Sequence, residues 1–305
     1  MAREELWLDP SRSEPDELGQ EGYRMKRGTL TRAIAGMGAA VTATSFAVVG
    51  LAASAGAASS TAPARVTVTM TKQTVKADVQ KVQAGRIEFV AKRGDHHHHT
   101  LVVASLAKGF TINQAGQDIN AAFQGNVKAV RTIDRKVHWY GGTDAPGRFV
   151  VSLPAGKFIL LDEDGNGLGR LTVTSPKVAR TAPPSSATVF AAATTHGFGF
   201  KVKGTISHDG WVTFSNKTDE PHFLEIDRVK PSTTRAYIRK HIQDNSQPAK
   251  VIGLKAETAP IGPGKSGELK LNVPKGKYLI ACFWPSRDNG MPHAFMGMYK
   301  LVHIG

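Results

Sequence analysis

PKGKYLIACFWPSRDNGMPHAFMGMYKLVHI, residues 274–304, holds two short runs that read as strands, KYLIACF (277–283) and GMYKLVHI (297–304). A loop punctuated by proline and glycine lies between them. β-Branched and aromatic residues set between turn formers favour extended backbone. The same stretch carries Cys282, the only cysteine of the 305-residue chain, followed by Met291, His293, Met296 and Met298. A single thiol just ahead of imidazole and thioether groups has three readings: a soft-metal site, a nucleophile, or a small buried apolar side chain.

Working outward, the pattern occurs twice. VTVTM (66–70), GRIEFVA (85–91), TLVVASL (100–106), RFVVSL (148–153), KFILL (157–161) and GRLTVTS (169–175) form a first strand series. PKVARTAPPSS (176–186), with three prolines and no apolar run, reads as a linker. FGFKVKG (198–204), GWVTFSN (210–216), HFLEID (222–227), GELKLNV (267–273) and the two runs above form the second. PAGKFILLD (154–162) lines up with PKGKYLIAC (274–282), and GRIEFVAKRGDHHHHTLVV resembles GWVTFSNKTDEPHFLEI. Each half also carries a short helical pattern: Ala115, Ile119, Ala122 and Phe123 share one face, and Tyr237, Ile238 and Ile242 another. A period of about 120 residues indicates duplicated domains rather than a solenoid. The expected architecture is all-β: two tandem Greek-key β-sandwiches, over 66–175 and 187–305, each with a short helical insertion.

The order of features in the second half resembles a cupredoxin of the plastocyanin type. Asn216 and then Pro221-His222 lie by an inner strand; Cys282, Pro292-His293 and Gly297-Met298 follow at the end. The resemblance covers 198–305 well and 66–175 in outline. It implies copper, held by His222, Cys282 and His293 with Met298 axial, or Met296 as the alternative axial ligand. It also implies a redox or copper-donor protein as partner. Two imidazoles, a thiolate and a weak thioether are the donor set of an electron-transfer copper site, and bound copper would keep the thiol deprotonated. One departure stands out: ten residues, FWPSRDNGMP, separate Cys282 from His293, where the family has only a few.

The other readings stay open at this point. Cys282 as a small buried residue, His222 capping a strand, His293 on a solvated loop and methionines packing an edge each need no metal. A catalytic thiol would need a positioned base and orienter, and no hydrolase motif surrounds Cys282. Multicopper oxidases flank the cysteine with histidines, whereas Ala281 and Phe283 flank it here. The expectation is binding without turnover of a small-molecule substrate, with a structural or interaction module of the envelope as the alternative. Phe283, Trp284, Pro292 and Phe295 are candidates for an apolar docking patch.

In the first half Asp162 takes the place of Cys282, and no His or Met follows it in that domain. His97 or His99 matches His222, so this half reads as a degenerate copy. The run His96, His97, His98, His99 is a candidate for a weak secondary metal site, although alternate strand residues face opposite ways. Asp162-Glu163-Asp164-Gly165-Asn166-Gly167 matches the opening of a calcium loop, but the twelfth position is Val173 and the flanks are strands, so a tight turn explains the same letters.

The formal charge of +14 makes the surface basic and favours anionic partners such as envelope components. Lys and Arg are scattered, with no nucleic-acid motif. Before the strands, MKRGTLTR opens a basic segment at Met25, and from Ala33 to Ala64 there is no charged residue. Basic start, apolar middle and small-residue exit make 25–58 a signal peptide and the protein secreted, with an N-terminal membrane anchor as the alternative. Residues 1–24 are acidic and fit as a doubtful extension ahead of the true start.

Overall fold

The computed structural model describes residues 61–195, 197–243 and 250–305. The expected N-terminal extension and signal peptide lie outside them. Among the described residues no helix is long and apolar enough to cross a membrane.

The first half contains β1 (Ala64–Thr71), β2 (Thr74–Ala77), β3 (Lys81–Arg93), β4 (Thr100–Leu106), α1 (Ile112–Phe123), α2 (Val127–Lys136), β5 (Val137–Asp144), β6 (Gly147–Leu153), β7 (Gly156–Asp162) and β8 (Leu168–Val178). The second contains β9 (Ser185–Thr194), β10 (Gly197–Gly204), β11 (Asp209–Asn216), β12 (Glu225–Val229), α3 (Arg235–Gln243), β13 (Val251–Glu257), β14 (Ser266–Asn272), β15 (Gly276–Ala281) and β16 (Tyr299–Ile304). Every strand of the two sequence series forms. Four more join them: β2, β5, β9 and β13. β9 is Ala- and Ser-rich and β5 carries Gly141-Gly142, so neither has the composition that marks a strand.

Several boundaries differ from expectation. β8 runs to Val178 and β9 starts at Ser185, so the expected linker 176–186 is strand at both ends. β15 stops at Ala281 and β16 starts at Tyr299. The first half carries two helices rather than one; α1 has a full capping box at Thr111 and Gln114, and Asn126 caps α2 through Ala129 N–H. β12 begins at Glu225 rather than at His222, which makes only an isolated bridge to Ile261.

Strand pairing repeats between the halves. β1 pairs antiparallel with β2 and parallel with β3, as β9 does with β10 and β11. β3 pairs with β6 as β11 does with β14, and β4 with β5 and β7 as β12 with β13 and β15. β7–β8 and β15–β16 close the pattern. Parallel opening pairs cannot arise from a simple meander, so the chain must cross between two layers in each half. In the first half β3 makes the crossing itself: its start pairs with β8, its end with β6, and Gly85 at φ +125° marks the change.

The halves are joined edge to edge. β14 pairs antiparallel with β6 through Gly267↔Val151, Glu268↔Val150 and Leu269↔Phe149. One sheet therefore runs from β10 through β14 and β6 to β5, while β13-β12-β15-β16 forms the remaining layer. Phe89, Phe149 and Leu160 of the first half and Phe214, Tyr278 and Trp284 of the second belong to one buried cluster.

Candidate metal centre

His222 is set by the turn that follows β11. Asn216, fully buried, donates from Nδ2 to the carbonyls of Glu220 (2.7 Å) and Ile261 (2.9 Å), closing the turn. Its Oδ1 accepts from Thr218 N (2.9 Å) and Thr218 Oγ1 (2.8 Å). His222 N donates to Ile261 O (3.1 Å) and Ile261 N returns the bond to His222 O (2.8 Å). With the Thr218 hydroxyl proton spent on Asn216, Thr218 Oγ1 accepts from His222 Nε2 at 2.8 Å. That bond places the ring proton on Nε2 and leaves Nδ1 free to act as a donor atom.

Cys282 follows β15, with its N–H on Met298 O (3.2 Å) and its carbonyl accepting from Ala294 N (2.7 Å). The ten residues before His293 are not a slack loop. They fold back as a small hairpin: Pro285 bridges Pro292, Ser286 N donates to Met291 O (2.8 Å), and His293 N donates to Trp284 O (2.9 Å). A turn then brings Met298 N onto His293 O (2.9 Å). The length that departs from the family pattern is taken up in this excursion, so His293 returns beside Cys282.

The three side chains converge. Cys282 Sγ lies 3.6 Å from His222 Nδ1 and 3.8 Å from His293 Nδ1, and all three residues are 0 % exposed. The two rings stand 4.6 Å apart, and Phe198 of β10 is edge-on to both. Metal–nitrogen and metal–sulfur bonds of about 2.0 and 2.3 Å at trigonal angles would separate N from S by about 3.7 Å, so the donor set has the spacing of a first-row metal. Among the described residues no other group of His, Cys, Asp and Glu converges in this way. Burial pushes the Cys282 thiol up to about 12, against the pull of the Phe223 and Trp284 backbone N–H groups, and holds His222 well below its ordinary value. Without metal the thiol therefore keeps its proton, and a bound cation would take that proton's place.

Met298 is fully buried and held by its backbone against both Cys282 and His293. The Met296 thioether instead accepts from Asn289 Nδ2 at 3.5 Å, and Met291 is exposed. Of the two axial candidates Met298 is buried and Met296 half-buried.

Residues that sequence reading passed over surround the site. Glu220, 2 % exposed, accepts from His293 Nε2 at Oε2 (3.0 Å). Arg287, inside the Cys-to-His loop, holds the same carboxylate through its backbone N–H (3.2 Å) and its Nε (3.3 Å), and also pairs with Asp219. A charged residue in a DEPH turn reads as solvent-facing, so its burial had no sequence signal.

The first half covers the loop. Trp284, fully buried, meets Phe123 of α1 and Trp139 of β5 edge-on at 5.8 and 5.3 Å. Gly290 packs on Gly125, and Arg131 Nε donates to Arg287 O at 2.9 Å. Of the expected docking patch, Trp284 and Pro292 are buried and Phe283 and Phe295 half-buried. Trp284 and Phe283 both pack within the chain's own apolar clusters.

The four-histidine run does not gather. His96 and His97 are exposed; His98 Nδ1 bonds Asp164 Oδ2 at 2.8 Å. His99 uses both nitrogens, Nδ1 on Asp162 Oδ2 (2.6 Å) and Nε2 on Asp95 Oδ1 (2.7 Å). Strand register pairs Leu101 with Asp162, and by continuation Leu224 with Cys282, so His99 is the counterpart of His222. A His–Asp bond thus sits where the second half has imidazole and thiol. The Asp162–Asn166 segment is a turn between β7 and β8, in which Asp162 Oδ1 accepts from Asp164 N.

No protein-family model matches the sequence, and no curated protein does. Among solved structures, reduced auracyanin from Roseiflexus castenholzii is 19% identical, over 39% of this chain and 94% of its own, with a TM-score of 0.25. Rusticyanin from Thiobacillus ferrooxidans is 22% identical over 39% and 76% (TM-score 0.25). Copper nitrite reductase from Nitrosomonas europaea is 13% identical over 80% and 94% (TM-score 0.23). The chain is a mostly β protein whose two halves repeat one strand-pairing pattern, with His222, Cys282 and His293 converging at the end of the second.

Proposed function

We propose that this chain binds one copper ion through His222, Cys282 and His293, with Met298 as axial ligand, and serves single-electron transfer or copper handling outside the cytoplasm. The observation that carries the reading is the convergence of two imidazole Nδ1 atoms on one buried thiol at 3.6 and 3.8 Å. Bound copper would supply a one-electron couple at this position. The chain's own residues do the rest. Thr218 and Glu220 keep the ring protons on Nε2, and the Asn216 bonds and the 285–292 hairpin fix the two rings before metal arrives. Burial excludes water, and a rigid β-frame limits rearrangement between oxidation states. Export is part of the proposal, supported by the uncharged Ala- and Gly-rich segment after Met25. The partner is a redox or copper-donor protein, and the basic surface suits one with acidic character. The first half has a structural part in this reading, since its His99 is committed to two carboxylates and its helices cover the metal loop.

The test is titration of the metal-free chain with Cu(II) while recording the visible spectrum. The expected result is a strong thiolate-to-copper band saturating at one equivalent and bleaching reversibly with reductant. Cys282→Ser should abolish it. A colour that survives in that variant, or a wild-type chain that takes up neither Cu(II) nor Cu(I), would refute the assignment.

A further inference from the structure

The two rings of the site are held unequally. His222 Nε2 rests on a neutral hydroxyl, Thr218 Oγ1, whereas His293 Nε2 rests on a buried carboxylate, Glu220 Oε2. Both histidines turn Nδ1 toward Cys282, so both carry the ring proton on Nε2 when Nδ1 binds a metal. An anionic acceptor on that proton raises the electron density of the ring and of the bond it makes on its far side. Glu220 and His293 are 2 % and 0 % exposed, so water does little to screen the effect.

A buried carboxylate next to no cation would be costly. Arg287 supplies the cation, and it comes from the segment that makes the Cys282-to-His293 loop long. Backbone N–H and guanidinium of Arg287 clamp both oxygens of Glu220, and Arg131 from α2 holds Arg287 O in turn. The extra residues of the loop have a purpose in this arrangement: they carry the counter-charge that lets a carboxylate sit on the ligand.

We infer that Glu220 is a positioning residue for His293 that biases the bound copper toward its oxidised state, and that Arg287 moderates that bias from within the loop. The inference rests on the copper reading above. A negative charge one imidazole away stabilises Cu(II) more than Cu(I), because the oxidised ion carries the larger charge. The same contact closes the outer edge of His293, so a partner does not touch the ring directly.

The experiment uses the full chain loaded with copper, as wild type, Glu220→Gln and Arg287→Gln, followed by redox titration of the thiolate-to-copper band at pH 8. Gln keeps the volume of Glu and an oxygen for the Nε2 proton but removes the charge. The expected result for Glu220→Gln is a retained band with the Cu(II)-to-Cu(I) affinity ratio lowered about tenfold, which is a potential raised by about 59 mV. Arg287→Gln leaves the carboxylate less compensated, so its potential should fall. Opposite signs separate charge from loosening of the loop, which would move both the same way. Unmoved potentials, or shifts of one sign in both variants, overturn the inference. If Glu220→Gln does not fold, an unmoved potential in Arg287→Gln alone overturns it. A wild-type chain that takes no copper overturns the proposed function itself, so the two failures are told apart by the first titration.

Discussion

Asp134 of α2 stands beside Trp284, with both carboxylate oxygens and the Trp284 indole nitrogen buried. Burial pushes the Asp134 carboxyl up to about 7; nearby Glu220 adds to the rise, while Arg287 and the indole offset part of it. The folded state therefore holds this proton more tightly than the unfolded chain, whose value is 3.8. Stability from this group is greatest at low pH, declines as pH rises from about 4 to about 7, and is level above. Asp134→Asn should remove the decline. In urea unfolding the variant is expected to gain about 4 kcal/mol more over wild type at pH 8 than at pH 4. An equal gain at both would mean that the ionised carboxylate is not destabilised by its surroundings. At this scale the three converging side chains were legible and their supports were not. Cys282, His222 and His293 are rare residue types in a telling order, whereas Asp134, Thr218 and Glu220 are ordinary polar letters whose burial depends on chain brought in from elsewhere.

The element that decides the geometry is the 283–292 excursion. Its length alone suggests slack, because the entropy of closing a loop grows with length. The backbone bonds between Ser286 and Met291 and between Trp284 and His293 turn it into a hairpin, which no pattern of alternating apolar residues announces. Gly290 is its hinge: φ is +75°, and a Cβ there would run into Gly125 O, just past α1. Gly290→Ala should cost about 1–3 kcal/mol, through the left-handed backbone and the clash together. It should also loosen Cu(II) binding, since the loop that delivers His293 would lift from α1 and α2. Unfolding and copper titration of that variant measure the two effects, and unchanged stability would show that the loop does not lean on the helices. The strands missed from sequence share a related cause. β9 buries Ala187, Val189 and Ala191 in clean alternation, yet Ala and Ser carry so little strand propensity that the alternation is muted. β2 is only four residues long.

For the whole molecule, the sequence repeat foretold two sandwiches and gave no hint that they share a sheet. Nothing in GELKLNV or RFVVSL says that the edges of the two will pair, because edge pairing depends on backbone groups and on room, not on side-chain type. Gly267 provides the room: it lies opposite Val151, and Phe149 of β6 occupies the space where a Cβ would stand. Arg86 and Glu268 add an ion pair across the joint at 3.1 Å. With Trp284 buried against Trp139 and one apolar cluster spanning both halves, neither sandwich can open without exposing the other. Calorimetry should therefore give a single cooperative transition for the chain. Copper at the proposed site, all of whose residues lie in the second half, should move that transition upward as one, because a ligand of the native state stabilises everything that unfolds with its site. Gly267→Val should break the coupling. Overpacking against Phe149 costs about 1–3 kcal/mol, and the melt should then separate, with only the second-half transition responding to copper. Two transitions in the wild type, of which copper shifts one, would mean that the shared sheet joins the halves without making them one folding unit.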